Sequence, residues 1–336
     1  MATTSNGTAQ NSDSLAGLLQ INDRNLADFE YSELFQPTQF FNLLPWRVAS
    51  HGEYHKWLVE SAAPTAGFRD INEGVNNQAG QEYVKEARLR YLDGSFDRDI
   101  ALCEASGNRL GADAYLERET FKSLTASMAR AERQLVLGSK APDGDASKGY
   151  DGLADLAQLW DGMGINAGGS GGTRVYMMII GLEDVCGVLG YNGRFTVQGP
   201  DNVRMTDSAG KPYTAKRVTM GGYMCLQAAG KFSIATAFNI DGTDGKKVTD
   251  DLLVDLYTLF PSDRAQRVNC IAMSRKGLAQ LQKSRTATTA TGATAPIPTT
   301  WDNAGRPIPI VIIDAIDDEE AAVTTTTTTT TTTSGE

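Results

Sequence analysis

At 336 residues the chain is long enough for two or three packed units of ordinary size. Hydrophobic residues supply 41% and charged residues 21%, so most of it can build a core, and a formal charge of −10 argues against a general nucleic-acid reader. Cys103, Cys186, Cys225 and Cys270 stand singly, with no CxxC pair or Cys/His cluster, which excludes an evident zinc site or disulfide framework and suits a reducing compartment.

In chain order, Met1–Ser14 is polar, with neither the basic start nor the apolar core of a secretory signal. "LAGLLQIN" and "LADFEYSELF" read as short helical pieces, with Leu15, Leu18 and Leu19 on one side, before Pro37 and Pro45 break the chain. Two strand-like segments follow. From Gly52 to Glu60, Trp57 and Val59 point one way and Lys56, Leu58 and Glu60 the other. From Glu82 to Leu92, Tyr83, Lys85, Ala87, Leu89 and Tyr91 share a face, with Glu86, Arg88 and Arg90 opposite. Period-two alternation of this kind predicts strands with one wet face. Strands of nine residues make an arm roughly 30 Å long. Their link, Ser61–Gln81, far exceeds the two to five residues of a tight hairpin loop.

Gly111–Leu137 predicts a long helix, about 40 Å at 1.5 Å per residue. Phe121, Leu124, Met128, Ala131 and Leu135 form its apolar stripe, which reads as core packing rather than a coiled-coil seam. Asp113 is the expected N-cap and Gly138 the left-handed stop. Gly138–Gly172 reads as loop around one amphipathic piece, "YDGLADLAQLW". Strands are expected at "TRVYMMIIG", "GRFTVQ", "NVRMTD", "YTAKRVTM", "GYMCLQAAG" and "KFSIATAFNI", with "DSAGKP" turning a second long hairpin. The longest apolar run, Val175–Leu182, is too short to span a membrane as a helix. A small α/β unit closes the fold. Thr249 caps a helix whose buried side is Leu252, Leu256, Leu259 and Phe260, and Pro261 ends it. "VNCIAM" is a strand, Ser274 caps "RKGLAQLQKS", and Ile308–Ile313 is an apolar strand. The tail, "DDEEAAV" and then Thr324–Thr333, has little to bury and reads as disordered or extended.

Three features suggest chemistry and fail on inspection. "HGEYH", His51 to His55, lacks the Glu directly after the first His that a zinc-protease helix needs, and on a strand its two His lie about 13 Å apart. Surface or interface histidines are expected instead. "AGGSGGTR", Ala167–Arg174, lacks the Lys-Ser/Thr of a phosphate loop and precedes a strand, so it reads as a flexible linker. The carboxylates of "INDRNLADFEYSE" and "IDDEE" carry no mark of burial and read as solvated. No catalytic, metal-binding or cofactor-binding residue is assigned, and no enzyme activity is expected.

The local sequence resembles one known family. "FRDINEG" (Phe68–Gly74), "YLDGSFDRDIAL", "YDGLADL", "LEDVCGVLGYNGRF", "VTDDLLVDLYTLFP" and "MSRKGLAQLQKSRTATTATGATAPIP" occur in an order similar to that in major capsid proteins of tailed double-stranded DNA phages, the Hong Kong 97-type fold. The likeness runs from about Leu15 to Ile316. It implies an α+β fold with an N-terminal arm over residues 1–45 and an extended hairpin loop over 46–105. A peripheral domain is implied over 106–172, with a spine helix at 111–137. Long shared strands are implied over 173–247, an axial domain over 248–316, and a tail over 317–336. It further implies a homo-oligomer of pentamers and hexamers, closed into an icosahedral shell around double-stranded DNA without sequence-specific binding and without a membrane. A scaffold protein, a portal and a decoration protein are the implied partners, and the virion, assembled in the host cytoplasm, is the implied location. The alternatives are another structural virion protein, such as a decoration or tail subunit, and a zinc hydrolase built on "HGEYH". Two strands alone are marginal in water, so the arm is expected to shelter on a neighbouring copy. Candidate contacts are Phe68, Arg69, Asn72 and Glu73 at the tip, and Tyr83, Leu89 and Tyr91 on the covered face.

Overall fold

The computed structural model describes residues 20–21, 24–25, 38–62, 64–106, 111–140, 148–158, 162–190, 193–288, 294–303 and 305–323. Strands β1 (Gln20–Ile21) and β2 (Arg24–Asn25) pair with each other, and α1 (Gln39–Leu43) leads into β3 (Trp46–Val48). The first expected helical piece is therefore strand over Gln20–Ile21; the second, Leu26–Phe35, lies outside the described residues. β4 (Tyr54–Ala62) and β5 (Gln81–Arg88) form the long hairpin, followed by β6 (Arg90–Asp93), β7 (Phe96–Asp99), α2 (Ile100–Ser106) and α3 (Gly111–Leu137). Next come α4 (Leu153–Leu156), β8 (Gly164–Asn166), β9 (Gly171–Met178), β10 (Val185–Leu189), β11 (Thr196–Thr206), β12 (Pro212–Ala228) and β13 (Ile234–Ile240). The chain ends with α5 (Asp250–Thr258), α6 (Ser262–Ala265), β14 (Cys270–Met273), α7 (Arg275–Thr288), β15 (Thr300–Asn303), β16 (Arg306–Ile312) and β17 (Glu320–Ala321).

One sheet runs β11-β12-β10-β3, with β6 and β7 also on β12. A second runs β15-β16-β14-β9-β13-β8, with β17 on β9. Strand alternation divides the interior between them. Tyr176 and Met178 of β9 and Cys270 and Ala272 of β14 turn toward the core that also holds the stripe of α3. Val175 and Met177, with Ile271 and Met273, turn toward a second core under α5 and α7. Strands buried on both faces read as continuous apolar runs, which is why "VYMMII" shows no alternation.

Helix α3 has the expected bounds. Leu124, Met128, Ala131 and Leu135 are buried, and Phe121 packs partly against them. Asp113 lies inside the first turn rather than at the cap, where the helix dipole still favours a carboxylate. Gly138 takes φ +57°, and a Cβ there would stand 2.3 Å from the Gly152 nitrogen, so a left-handed glycine is required twice over. Thr249 Oγ1 accepts the Leu252 N–H at 3.2 Å, and Ser274 Oγ accepts the Gly277 N–H at 3.1 Å, as the two caps should. The buried face of α5 is set by Leu253 and Leu256, while Leu252 and Leu259 are only half-buried.

"AGGSGGTR" is not a flexible linker. Gly171 and Gly172 open β9 at φ +127° and +110°, and a Cβ on them would meet the Glu320 and Ile240 carbonyl oxygens at 2.3 and 2.2 Å. The glycines let three backbones meet, since β17 pairs with β9 at this point. "IDDEE" is likewise not merely solvated: Glu320 pairs with the buried Arg174, and Asp318 accepts from Ser274. The threonine run lies outside the described residues.

Candidate assembly surface

The hairpin β4–β5 is antiparallel, from Tyr54 opposite Arg88 to Ala62 opposite Gln81. Its register sorts the side chains by face. His55 and Ala87, Trp57 and Lys85, and Val59 and Tyr83 are facing pairs on one side; Val59 and His55 are buried there, and the Lys85 ammonium lies 5.8 Å from the Trp57 ring centre. The other side carries Lys56 paired with Glu86 at 3.2 Å and, next to it, Leu58 opposite Val84. Leu58 and Val84 are 65% and 59% exposed, an apolar pair left uncovered by the described residues.

Beyond Ala62 the two legs continue without ladder pairing but stay joined. The Thr65 N–H donates to the Gln78 carbonyl and the Gln78 N–H to Thr65 Oγ1, both at 2.9 Å. The Gly67 N–H donates to Asn77 Oδ1 at 3.1 Å. The turn closes with the Glu73 N–H on the Asp70 carbonyl at 3.2 Å, Asn72 at φ +67°, and Arg69 Nη1 donating to the Glu73 carbonyl at 3.3 Å. Arg69 thus organises the turn through the backbone of Glu73, not its carboxylate. Phe68 is fully exposed and Ile71 is 92% exposed. Arg69, Asn72 and Glu73 are exposed beside them, so the turn gathers four of the candidate residues.

The other three separate. Tyr83 is exposed on the hairpin. Leu89 is 3% exposed and packs with Ala49, Cys186, Val188 and Cys225 of its own chain, while its N–H donates to the Glu53 carbonyl at 2.8 Å. That bond marks the break between β5 and β6, and with the break the shared face expected for Leu89 and Tyr91 is lost. Leu89 already has its cover; Tyr91 is turned outward on β6, ring-to-edge with Tyr223 at 5.0 Å.

The hairpin is seated on the body through His55. Its Nδ1 accepts the Ser50 N–H at 3.2 Å, and its Nε2 bonds Gln227 Oε1 at 2.6 Å. An acceptor at Nδ1 and a carbonyl oxygen at Nε2 fit the neutral Nε2–H imidazole. Burial lowers its pKa below 6.5, opposed by the Gln227 bond and aided by the Arg47 charge. His55 is therefore a core residue rather than a surface one, whereas His51 is exposed and bonds Ser50. Among the described residues no group of three or more His, Cys, Asp or Glu could hold a metal. Burial also pushes the Cys186 thiol up to about 11 and those of Cys225 and Cys270 up to about 12, which keeps them protonated and inert.

The hairpin is thus a self-ordered arm with an exposed apolar tip. Comparison with known proteins decides the kind of protein that carries it. The family model for major capsid protein GP7 matches residues 32–324. The chain belongs to that family. Among solved structures it is similar to that of bacteriophage epsilon15, with 19% identity, coverage of 83% of this chain and 87% of that one, and a TM-score of 0.57. The bacteriophage JBD30 capsid is matched at 9% identity over 90% and 98% of the two chains, with a TM-score of 0.48. None of the curated proteins matches the sequence.

This major capsid protein has the Hong Kong 97-type α+β fold, builds a multimeric phage capsid shell, and resides in the virion. Leu58, Ile71 and Val84 are further exposed apolar side chains on this hairpin that sequence reasoning did not single out. Leu58 could have been found: it is an apolar residue that alternates onto the same side as Lys56 and Glu60.

Proposed function

We propose that the chain assembles as pentamers and hexamers into an icosahedral head shell around the double-stranded DNA genome, and that the hairpin is the arm by which each copy grips the next. The observation that carries the grip is the exposed apolar set Phe68, Ile71, Leu58 and Val84, which the described residues of its own chain leave uncovered. Covering such a side chain is worth about 1.5–3 kcal/mol, so one arm supplies several kcal/mol. That suits a shell, where many modest contacts must form reversibly before they lock.

Within this reading Phe68, Arg69, Asn72, Glu73, Tyr83 and Tyr91 are contacts between subunits, and Leu89 is the hairpin's own foothold. Residues 1–45 serve as the N-terminal arm, 46–105 as the extended loop, 106–172 as the peripheral domain with α3 as its spine, and 173–247 as shared long strands. Residues 248–316 form the axial domain around the symmetry axes, and 317–336 the tail. The role is structural rather than enzymatic. Assembly takes place in the host cytoplasm with a scaffold protein, a portal and a decoration protein. An acidic subunit lets DNA slide past its inner wall without sequence-specific binding. Electron microscopy of the full chain, expressed alone and with its scaffold, tests this: closed shells or five- and six-membered rings are expected, and open tubes or featureless monomers would overturn it.

A further inference from the structure

We propose that the hairpin tip of one copy docks in a groove at the base of the next copy's hairpin, walled by Tyr91 and Tyr223 and floored by Gly190, Gly221 and Gly222, with Arg194 at its rim. The inference rests on the reading of the hairpin as an intersubunit arm, and it names where that arm lands.

The groove measures about 570 Å³ and is open to solvent, room enough for two apolar side chains. Its glycines let the lining groups pack close. A Cβ on Gly221 would stand 2.4 Å from the Tyr91 hydroxyl, one on Gly190 2.7 Å from the Tyr223 Cβ, and one on Gly222 3.0 Å from the Arg194 carbonyl. The three glycines are buried beneath these groups, and the two tyrosine rings, in edge contact at 5.0 Å, present half-exposed faces above them. Tyrosine walls combine apolar area with a hydroxyl and lose little entropy on contact. Arg194 is exposed, and no acidic side chain pairs with it among the described residues.

The tip is the complement of this groove. Phe68 and Ile71 supply apolar side chains, and between and beside them stand the exposed Asp70 and Glu73. Neither carboxylate forms an ion pair among the described residues, since Arg69 is spent on a backbone oxygen. Rings meet rings, and two carboxylates meet a guanidinium and two phenols.

Reach decides whose tip it is. The legs are paired from Tyr54 with Arg88 to Ala62 with Gln81, and again at Thr65 and Gln78, so the tip cannot fold back onto its own base. Gly52 borders the groove and Phe68 lies 16 residues on, about 50 Å along an extended leg. A tip-to-base contact therefore offsets successive copies by one arm length, always in the same sense. Such a head-to-tail contact closes into a ring when each step includes a rotation.

Disulfide trapping in the full-length chain tests it. All four native cysteines are buried, so the background is low. Chains carrying Gly74→Cys at the tip, mixed before assembly with chains carrying Thr196→Cys in the groove and oxidised, should lose up to about half of the 36.1 kDa band to a cross-linked dimer, the share that random neighbours in a head-to-tail ring allow. Gly74→Cys mixed with Ala209→Cys, on the distant turn between β11 and β12, should keep it. Ile71→Cys with Arg194→Cys is the second pair, to be used if the first fails to assemble. Shells that form without the tip–groove cross-link, or that cross-link as well to Ala209→Cys, overturn the docking site and leave the shell reading intact. That pattern would assign the groove to another occupant, such as a decoration protein. Absence of any shell from the unsubstituted chain would instead overturn the reading on which the inference rests.

Discussion

Two buried titratable residues join separate parts of the chain, and each makes a pH-dependent prediction. Glu132, on α3, is 1% exposed, and its Oε2 accepts the Phe41 N–H of α1 at 3.3 Å. Burial pushes its carboxyl up to about 7, against the Phe41 and Phe40 N–H groups, which favour the charged form, and with the Asp314 charge adding to the rise. A folded pKa above the unfolded one means that the stabilisation is complete below about 4.5 and is lost as pH rises through about 7. The full loss is on the order of 3 kcal/mol. Unfolding of wild type and Glu132→Gln across this range should show a wild-type slope that the variant lacks; parallel curves would contradict it. His55 has the opposite sign. Its folded pKa is depressed, so its contribution is present above 6.5 and lost as pH falls below it. With only two histidines in the chain, His51→Asn assigns the imidazole resonances, and His55 should titrate below 6.5. A midpoint at or above that value would contradict its buried, neutral seat. The threonine and serine caps were legible at this scale because capping is local chemistry. The burial of His55 was not, because its partner Gln227 lies 172 positions away.

Among elements, α3 was legible because a stripe repeating every three or four residues belongs to one helix and needs no partner to be seen. Leu135 lies in its last turn with no exposed surface, and Leu135→Ala should destabilise the subunit by about 2–5 kcal/mol, read by urea unfolding. The long strands were found but cut into pieces. β11 was divided at Gly199, which takes φ +116° beside a register shift, and β12 at Gly221–Gly222, where the strand continues. Glycine marks a turn and a close approach with the same letter, and only the neighbouring backbone distinguishes them. The same ambiguity made Gly171–Gly172 read as a linker. Gly172→Ala should lower the thermal midpoint by several degrees, since it strains φ +110° and drives a Cβ against the Ile240 carbonyl. An unchanged midpoint would restore the linker reading. The break at Leu89 was illegible for a related reason: alternation continues through Tyr91 in the sequence, while the chain turns where its N–H finds the Glu53 carbonyl.

For the whole molecule, the order of elements carried more than any one motif, because a shell subunit is defined by what projects from its body and not by a gathered set of reactive groups. The arm's purpose is visible only when its exposed face is set beside what its own chain leaves uncovered, and that requires the register of β4 and β5. Under the proposed function the tip is needed for assembly and not for folding, since its hydrogen bonds run within the tip itself. Sedimentation velocity of the intact chain beside a variant with residues 66–76 replaced by a two-residue Asn-Gly turn tests it most directly. The intact chain should sediment as capsomers or shells, and the shortened one as a folded monomer near 36 kDa with unchanged circular dichroism. Shells of normal size from the shortened chain, or an intact chain that stays monomeric at every concentration, would contradict it.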